Sequence, residues 1–228
     1  GCPMKKVVNG YAGSALMRQE DTAIRIIAAT VAGTSRPVTL KMRTGWDEAD
    51  RNAPRLAARA VDCGVAAVTV HGRTRCQFFT GRADWSFIRR VKEAVPVPVV
   101  ANGDLNTLDD AREMLERSGA DGVMIGRGSF GRPWFPAQVR DSLRTGGRLP
   151  DPSMAEQLRI VDEHYDAMLA HYGQGRGLRI ARKHLNAYLE RLGIARDRRQ
   201  AVLRLEEPAA VRRVLDDLYG ALMQENAA

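Results

Sequence analysis

At 228 residues the chain has room for one large domain, or one domain and a small helical companion. Its 44% hydrophobic and 27% charged content is that of a globular protein, and no apolar run approaches the roughly 20 residues of a membrane span. Three cysteines (Cys2, Cys63, Cys76) keep no metal-ligand spacing, and their odd number points away from a disulfide framework toward a reducing, cytoplasmic compartment.

Gly1-Cys2-Pro3 opens the chain in a turn-like context, and a glycine-punctuated stretch follows. The apolar spacing of Leu16, Ile24, Ile27 and Ala28 predicts a helix over 15–32. A first strand is expected at 37–43, a helix at 53–63, a second strand at 66–72 and a helix at about 84–94. Val97-Pro98-Val99-Val100-Ala101 and Asp121-Gly122-Val123-Met124-Ile125 read as two more strands, with a helical pattern (Leu108, Ala111, Met114, Leu115) between them. Strand starts near 37, 66, 97 and 121 make a βα repeat, which winds right-handed into an arc. A (β/α)8 barrel usually needs about 250 residues. Four units in about 140 residues therefore predict an α/β fold class, the C-terminal half of a TIM barrel over 1–140.

From Ser153 the pattern is wholly helical. Pro150-Asp151-Pro152 breaks the chain, and Ser153 with Glu156 forms a capping-box signature. Helices are expected around Leu158–Leu169, over 178–192 and over 208–223, a small all-α bundle spanning 153–228. Net charge is +8, and residues 176–204 carry nine Lys/Arg against two acids. That local excess suits a polyanion; a solvated face of an Arg-rich protein is the bland alternative.

The polar residues that end the strands fall on the edge where parallel barrels build active sites. Lys41 either snorkels or turns its charge into a cleft, and Arg43, His71 and Arg73 end on the same rim. His71 taken alone is equally a structural histidine. Asn102-Gly103-Asp104 and Gly126-Arg127-Gly128 suit phosphate, because glycine lets backbone N–H groups approach oxygens and Arg127 adds a charged fork; two ordinary βα turns are the alternative. Cys2 is either an inert small hydrophobe or a reactive thiol.

Seven motifs occur in order: Gly1-Cys2-Pro3-Met4-Lys5-Lys6-Val7, Lys41-Met42-Arg43-Thr44-Gly45-Trp46, His71-Gly72-Arg73-Thr74-Arg75, Asn102-Gly103-Asp104, Met124-Ile125-Gly126-Arg127-Gly128, Gly131-Arg132-Pro133-Trp134 and Arg182-Lys183-His184-Leu185. Together they resemble the tRNA-dihydrouridine synthases, among bacterial members the B type. The resemblance implies an FMN-containing TIM barrel followed by a helical tRNA-binding domain. It implies NADPH as reductant, hydride transfer from the flavin to C6 of a flipped-out uridine, and protonation of C5 by the Gly-Cys-Pro cysteine, here Cys2. Lys41 maps beside the flavin's N1–O2 edge and His71 beside flavin or substrate. Asn102, Gly103, Asp104, Gly126 and Arg127 map onto FMN contacts, the last two at the phosphate. Arg73, Arg75, Arg176, Arg179, Arg182, Lys183 and His184 are the expected tRNA contacts. Family members carry a long segment before the Gly-Cys-Pro turn, so the chain is expected to be N-terminally truncated, to bind FMN poorly by itself and to aggregate. A non-catalytic RNA-binding fragment is one rival; an FMN oxidoreductase acting on a free pyrimidine, similar to dihydroorotate dehydrogenases, is another. The enzyme interpretation requires Cys2, Lys41, His71, Asn102 and Arg127 to gather at one mouth of the sheet.

Overall fold

The computed structural model describes residues 1–225. It divides into two compact units, Gly1–Gly128 and Ser129–Ala228.

In the first unit, α1 (Lys5–Val8) and a 3-10 turn (Gly13–Arg18) precede α2 (Glu20–Ala32). The single helix expected over 15–32 is thus two elements. Gln19, at φ −131° and ψ 60°, leaves helical geometry, and Glu20 and Asp21 then occupy the first turn of α2, where negative charge complements the helix dipole. Glu20 also ties α2 to the next helix, accepting from Asn52 at 2.6 Å and pairing with Arg55 and Arg59. The Arg55 hydrogen bond is foremost in pulling its carboxyl down to about 2.

Then come β1 (Thr39–Arg43), α3 (Ala53–Asp62), β2 (Ala67–His71), α4 (Trp85–Ala94), β3 (Val99–Asn102), α5 (Leu108–Ser118) and β4 (Gly122–Met124). The four strands pair in parallel in the order β1-β2-β3-β4. Sequential parallel order with a helix at each crossover is the arrangement of neighbouring units in a (β/α)8 barrel. This is a partial barrel of four strands, and an all-helical stretch follows it.

Strand side chains alternate between faces. Met42, Val68, Val70, Val99 and Ala101 are buried beneath Leu56 and Ala57 of α3, Ile88 and Val91 of α4, and Ala111 and Met114 of α5. The other parity carries Lys41 and Arg43, Thr69 and His71, Val100 and Asn102, and Met124. Register sets Arg43 level with His71, His71 level with Asn102, and Asn102 level with Met124. The polar residues therefore share one face and one end of the sheet. Thr107 and Asp110 form a full capping box at the start of α5, a signature the sequence reading passed over.

The second unit holds α6 (Phe135–Thr145), α7 (Met154–Tyr172), α8 (Gln174–Arg191), α9 (Arg196–Arg204) and α10 (Pro208–Glu225). The division falls ahead of α6, earlier in the chain than the Pro150-Asp151-Pro152 break. Ser153 caps α7, its hydroxyl accepting from Glu156 N at 3.3 Å. Val161, Tyr165 and Met168 of α7, Leu178, Ala181 and Leu185 of α8, and Val211, Leu215 and Tyr219 of α10 form the core. Gly177 permits the close approach of α8 to α7, since a Cβ there would stand 2.7 Å from the Met168 carbonyl oxygen. Among the described residues, no helix is long and apolar enough to cross a membrane.

Candidate active site at the carboxyl end of the sheet

Lys41 Nζ donates to Asn102 Oδ1 at 3.1 Å, and Asn102 Nδ2 donates to the Met124 carbonyl at 2.8 Å. These two bonds link β1, β3 and β4 through side chains at the same end. Burial and the nearby Arg43 charge both lower the Lys41 pKa. His71 stands between them on β2. Its Nδ1 is buried without a hydrogen-bond partner. Burial, then the charges of Arg43, Lys41 and Arg73, push the imidazole down to about 3, so the ring is neutral at physiological pH. Gly103, at φ 117°, leaves room for that ring, because a Cβ would come within 3.2 Å of Nε2.

Arg43 turns from the same strand end into the loop after β2. Its Nη1 donates to the carbonyls of Thr74 and Phe78 at 2.7 and 2.8 Å. Arg73 grips the other limb of that loop, donating from Nε to Thr80 O at 3.0 Å and from Nη2 to Gly81 O at 2.6 Å. The Arg73 fork also binds both Asp104 oxygens, at 2.8 and 2.7 Å. Arg73 is only 2% exposed. The expected tRNA contact is therefore corrected: its guanidinium is spent inside the protein, organising the loop instead of meeting solvent. Asp104 is likewise committed, accepting from Ala83 N as well at 2.8 Å. Burial alone would raise its carboxyl, but the Arg73 fork, the Ala83 N–H and the Arg127 charge leave it lowered.

Arg127 lies 3.8 Å from Asp104 Oδ1 and stacks over Phe79 at 4.9 Å, while Arg43 approaches the same ring at 5.5 Å. Phe79 thereby connects Arg127 to the cup. A Cβ on Gly126 would meet nothing within 4 Å. At the front of the chain, Gly1 runs against β1, where a Cβ would stand 3.1 Å from the Lys41 carbonyl oxygen. Cys2, the next residue, is a free, exposed thiol. Arg75 lies over Trp46 and Phe78 at 4.7 and 4.9 Å.

Lys41, His71 and Asn102 lie in direct array at one end of the sheet, Arg127 is joined to that end through Phe79 and Asp104, and Cys2 follows Gly1, which runs against Lys41. Phe79 is the residue the sequence reading left out of the site, and Arg43, placed on the rim, was given no role there. Two adjacent aromatics, Phe78-Phe79, in an otherwise polar loop were the signal for it.

In the helical unit, Arg176, Arg179 and Lys183 are exposed at spacings of three and four along α8 and share one face. Arg182 and His184 turn partly inward, because they flank the buried stripe of Leu178, Ala181, Leu185 and Tyr188. His184 packs on His164 at 4.8 Å and on Phe130 at 6.3 Å, with Lys183 Nζ 4.3 Å from the Phe130 ring.

A cup with two cations, an uncommitted imidazole nitrogen and a glycine-lined rim fits a planar, electron-rich ring carrying a phosphate. Among the described residues no cluster suits a metal. The sequence model of one family, Dihydrouridine synthase (Dus), matches residues 1–223. A probable tRNA-dihydrouridine synthase of Rickettsia prowazekii (strain Madrid E) is 52% identical over 226 residues, covering 99% of this chain and 69% of that protein. The tRNA-dihydrouridine synthase B of Xanthomonas campestris pv. campestris is 48% identical over 223 residues, covering 98% of this chain and 67% of its own length. With nearly every residue inside the match, the chain belongs to the dihydrouridine synthase family.

Proposed function

We propose that the protein is a cytoplasmic tRNA-dihydrouridine synthase that reduces the C5=C6 bond of uridines in tRNA, with FMN as cofactor and NADPH as reductant. The observation that carries this reading is the convergence of Lys41, His71 and Asn102 on one end of one sheet face, level with Arg43. The first unit is the flavin-holding body, and the helical unit grips the tRNA.

FMN, when bound, supplies the hydride that the uracil ring accepts at C6. Every other requirement falls on the chain. Lys41 holds positive charge toward an electron-rich ring, with Asn102 fixing the ammonium. The neutral His71 offers its buried Nδ1 to a polar edge of flavin or substrate without adding charge. Gly103, Gly126 and the Arg127 guanidinium suit the ribityl and phosphate end, Arg127 as a charged fork for the phosphate. Asp104 contributes by anchoring Arg73 and by facing Arg127.

Cys2 is the general acid: its thiol holds the proton that saturates C5 after C6 has been reduced. An exposed thiol can be reprotonated from solvent after each turnover. A uracil stacked in a helix cannot lie flat in the cup, so the target nucleotide is extruded. Arg176, Arg179 and Lys183 supply a phosphate-binding face, which a free pyrimidine substrate would leave without purpose.

The decisive test compares the parent protein with Cys2→Ala on unmodified tRNA, reading dihydrouridine formation and NADPH oxidation separately. Cys2→Ala should lower dihydrouridine formation by about 100-fold or more, the share general acids contribute, while flavin reduction by NADPH continues. Dihydrouridine formed at the parent rate removes Cys2 from the mechanism. Unchanged dihydrouridine in the tRNA of cells lacking the gene overturns the function.

A further inference from the structure

We propose that Phe79 is a stacking platform for the tRNA nucleotide that flanks the extruded uridine, with Arg82 beside it for the adjoining phosphate. This inference rests on the tRNA reading above and adds to it a residue and a role.

One exposed aromatic is unremarkable on any surface. Phe79, 49% exposed, differs in how it is held. The loop over residues 74–81 is pinned immediately on both sides of it. Arg43 binds the Phe78 carbonyl at 2.8 Å, and Arg73 binds the Thr80 carbonyl at 3.0 Å. Both guanidinium groups belong to buried residues, 3% and 2% exposed. Phe78 is held at φ 51°, a backbone conformation that non-glycine residues seldom adopt. Two buried cations and a strained residue thus fix a loop whose outcome is a ring presented to solvent. Such a display is pre-organised for contact, since little freedom remains to be lost on binding.

The surroundings specify the partner's chemistry. Arg127 and Arg43 lie over the Phe79 ring at 4.9 and 5.5 Å. Phe79 also lines a cleft of about 640 Å³ together with Arg82, Asp104 and Arg127. Arg82 is exposed. An aromatic ring with the exposed Arg82 in the same cleft suits a nucleobase with a flanking phosphate, because any base has a π-face and a phosphate accepts from an arginine fork. Position supplies the last element. Arg43, which touches Phe79, is level with His71 and Asn102 at the mouth of the cup. Extruding a nucleotide unstacks its neighbour, and an aromatic at that mouth replaces the lost stacking.

The test uses the FMN-loaded protein and unmodified tRNA, with four variants: Phe79→Ala, Phe79→Leu, Phe79→Tyr and Phe79→Trp. Phe79→Ala should weaken tRNA binding and raise KM for tRNA about tenfold, within the range of one lost base–aromatic stack. Affinity is compared between proteins matched for flavin content, which separates this role from the cofactor site. Phe79→Leu, apolar but without a π-face, should be no better than alanine, and Phe79→Tyr should restore binding. Phe79→Trp should also restore it, and should show an emission quench on tRNA addition larger than that of the parent's own three tryptophans. Binding by Phe79→Ala within twofold of the parent overturns the inference and leaves the tRNA reading intact. Rescue by leucine equal to that by tyrosine overturns it too, since packing alone would then suffice. A parent protein that binds no tRNA ends both.

Discussion

Lys41 on β1 reaches past the intervening strand to Asn102 on β3, Nζ to Oδ1 at 3.1 Å. In register Lys41 is level with Thr69, and Thr69 with Val100, while Asn102 lies two residues further along β3. The lysine therefore leans toward the strand ends, and the Asn102 amide, tied to the Met124 carbonyl, receives it. A neutral acceptor leaves the ammonium's charge available to a ligand; an aspartate there would consume it. Lys41→Met should accordingly lower the two-electron midpoint potential of bound flavin. The loss of one charge-assisted hydrogen bond, about 1.5–3 kcal/mol, corresponds to about 30–65 mV. A dye-referenced reductive titration of parent and variant reads this directly. A potential within about 10 mV of the parent would place the lysine away from the flavin's electron-rich edge.

His71 makes a prediction about acid stability. Its pKa falls from 6.5 to about 3 through burial first, then the charges of Arg43, Lys41 and Arg73. Between those values the unfolded chain binds a proton at this site and the native protein does not. Stability therefore rises with pH across this window, and acidification from neutrality costs the native state up to about 2 kcal/mol by pH 5. His71→Gln removes that proton from the unfolded state's account. Urea midpoints of parent and variant, taken at pH 7.5 and pH 5, should converge or cross as pH falls. An equal loss in both proteins would mean that the imidazole titrates normally.

Arg73 and Asp104 are expected to govern stability more than substrate affinity. Removing one partner of a buried, bidentate pair leaves a buried charge uncompensated and costs about 3–5 kcal/mol. Arg73→Met should unfold at distinctly lower urea. Arg73→Lys should recover only part of the loss, because an ammonium cannot reproduce the fork that serves Asp104, Thr80 and Gly81 together. A near-neutral Arg73→Met would show that the loop holds its shape without this anchor.

The contrast between Arg73 and Lys41 explains what was legible beforehand. β-branched runs and helical spacing are local, so four strands and their crossover helices could be read within a few residues of their observed ends. The polar residues ending those strands could be assigned to one rim for the same reason: parallel order and period-two alternation fix both end and face. What a guanidinium does there depends on partners far along the chain. Asp104 lies 31 positions from Arg73, and the Phe78 carbonyl 35 from Arg43. A positive charge on a rim reads as a ligand contact until that geometry is known. The break at Gln19 escaped notice because apolar spacing runs through it, and α9 because Arg196–Arg204 buries little beyond Val202.

The basic face of α8 yields the last prediction. Arg176, Arg179 and Lys183 are exposed on one face, whereas Arg199, equally basic in sequence, donates to Ile194 O at 2.8 Å and Asn186 Oδ1 at 3.2 Å. Charge counted along 176–204 treats these four alike. Burial separates them into three groups able to neutralise phosphates and one that ties α9 to α8. Each phosphate contact contributes about one unit or somewhat less to the slope of log affinity against log salt. Replacing Arg176, Arg179 and Lys183 together by alanine should flatten that slope by about two to three units and weaken tRNA binding at low salt, with the urea midpoint unchanged. Arg199→Ala should do the reverse, lowering the midpoint while keeping the slope. A triple variant with the parent's salt dependence would remove this face of α8 from the tRNA path, and the polyanion would have to be sought among the exposed arginines Arg196, Arg198 and Arg204.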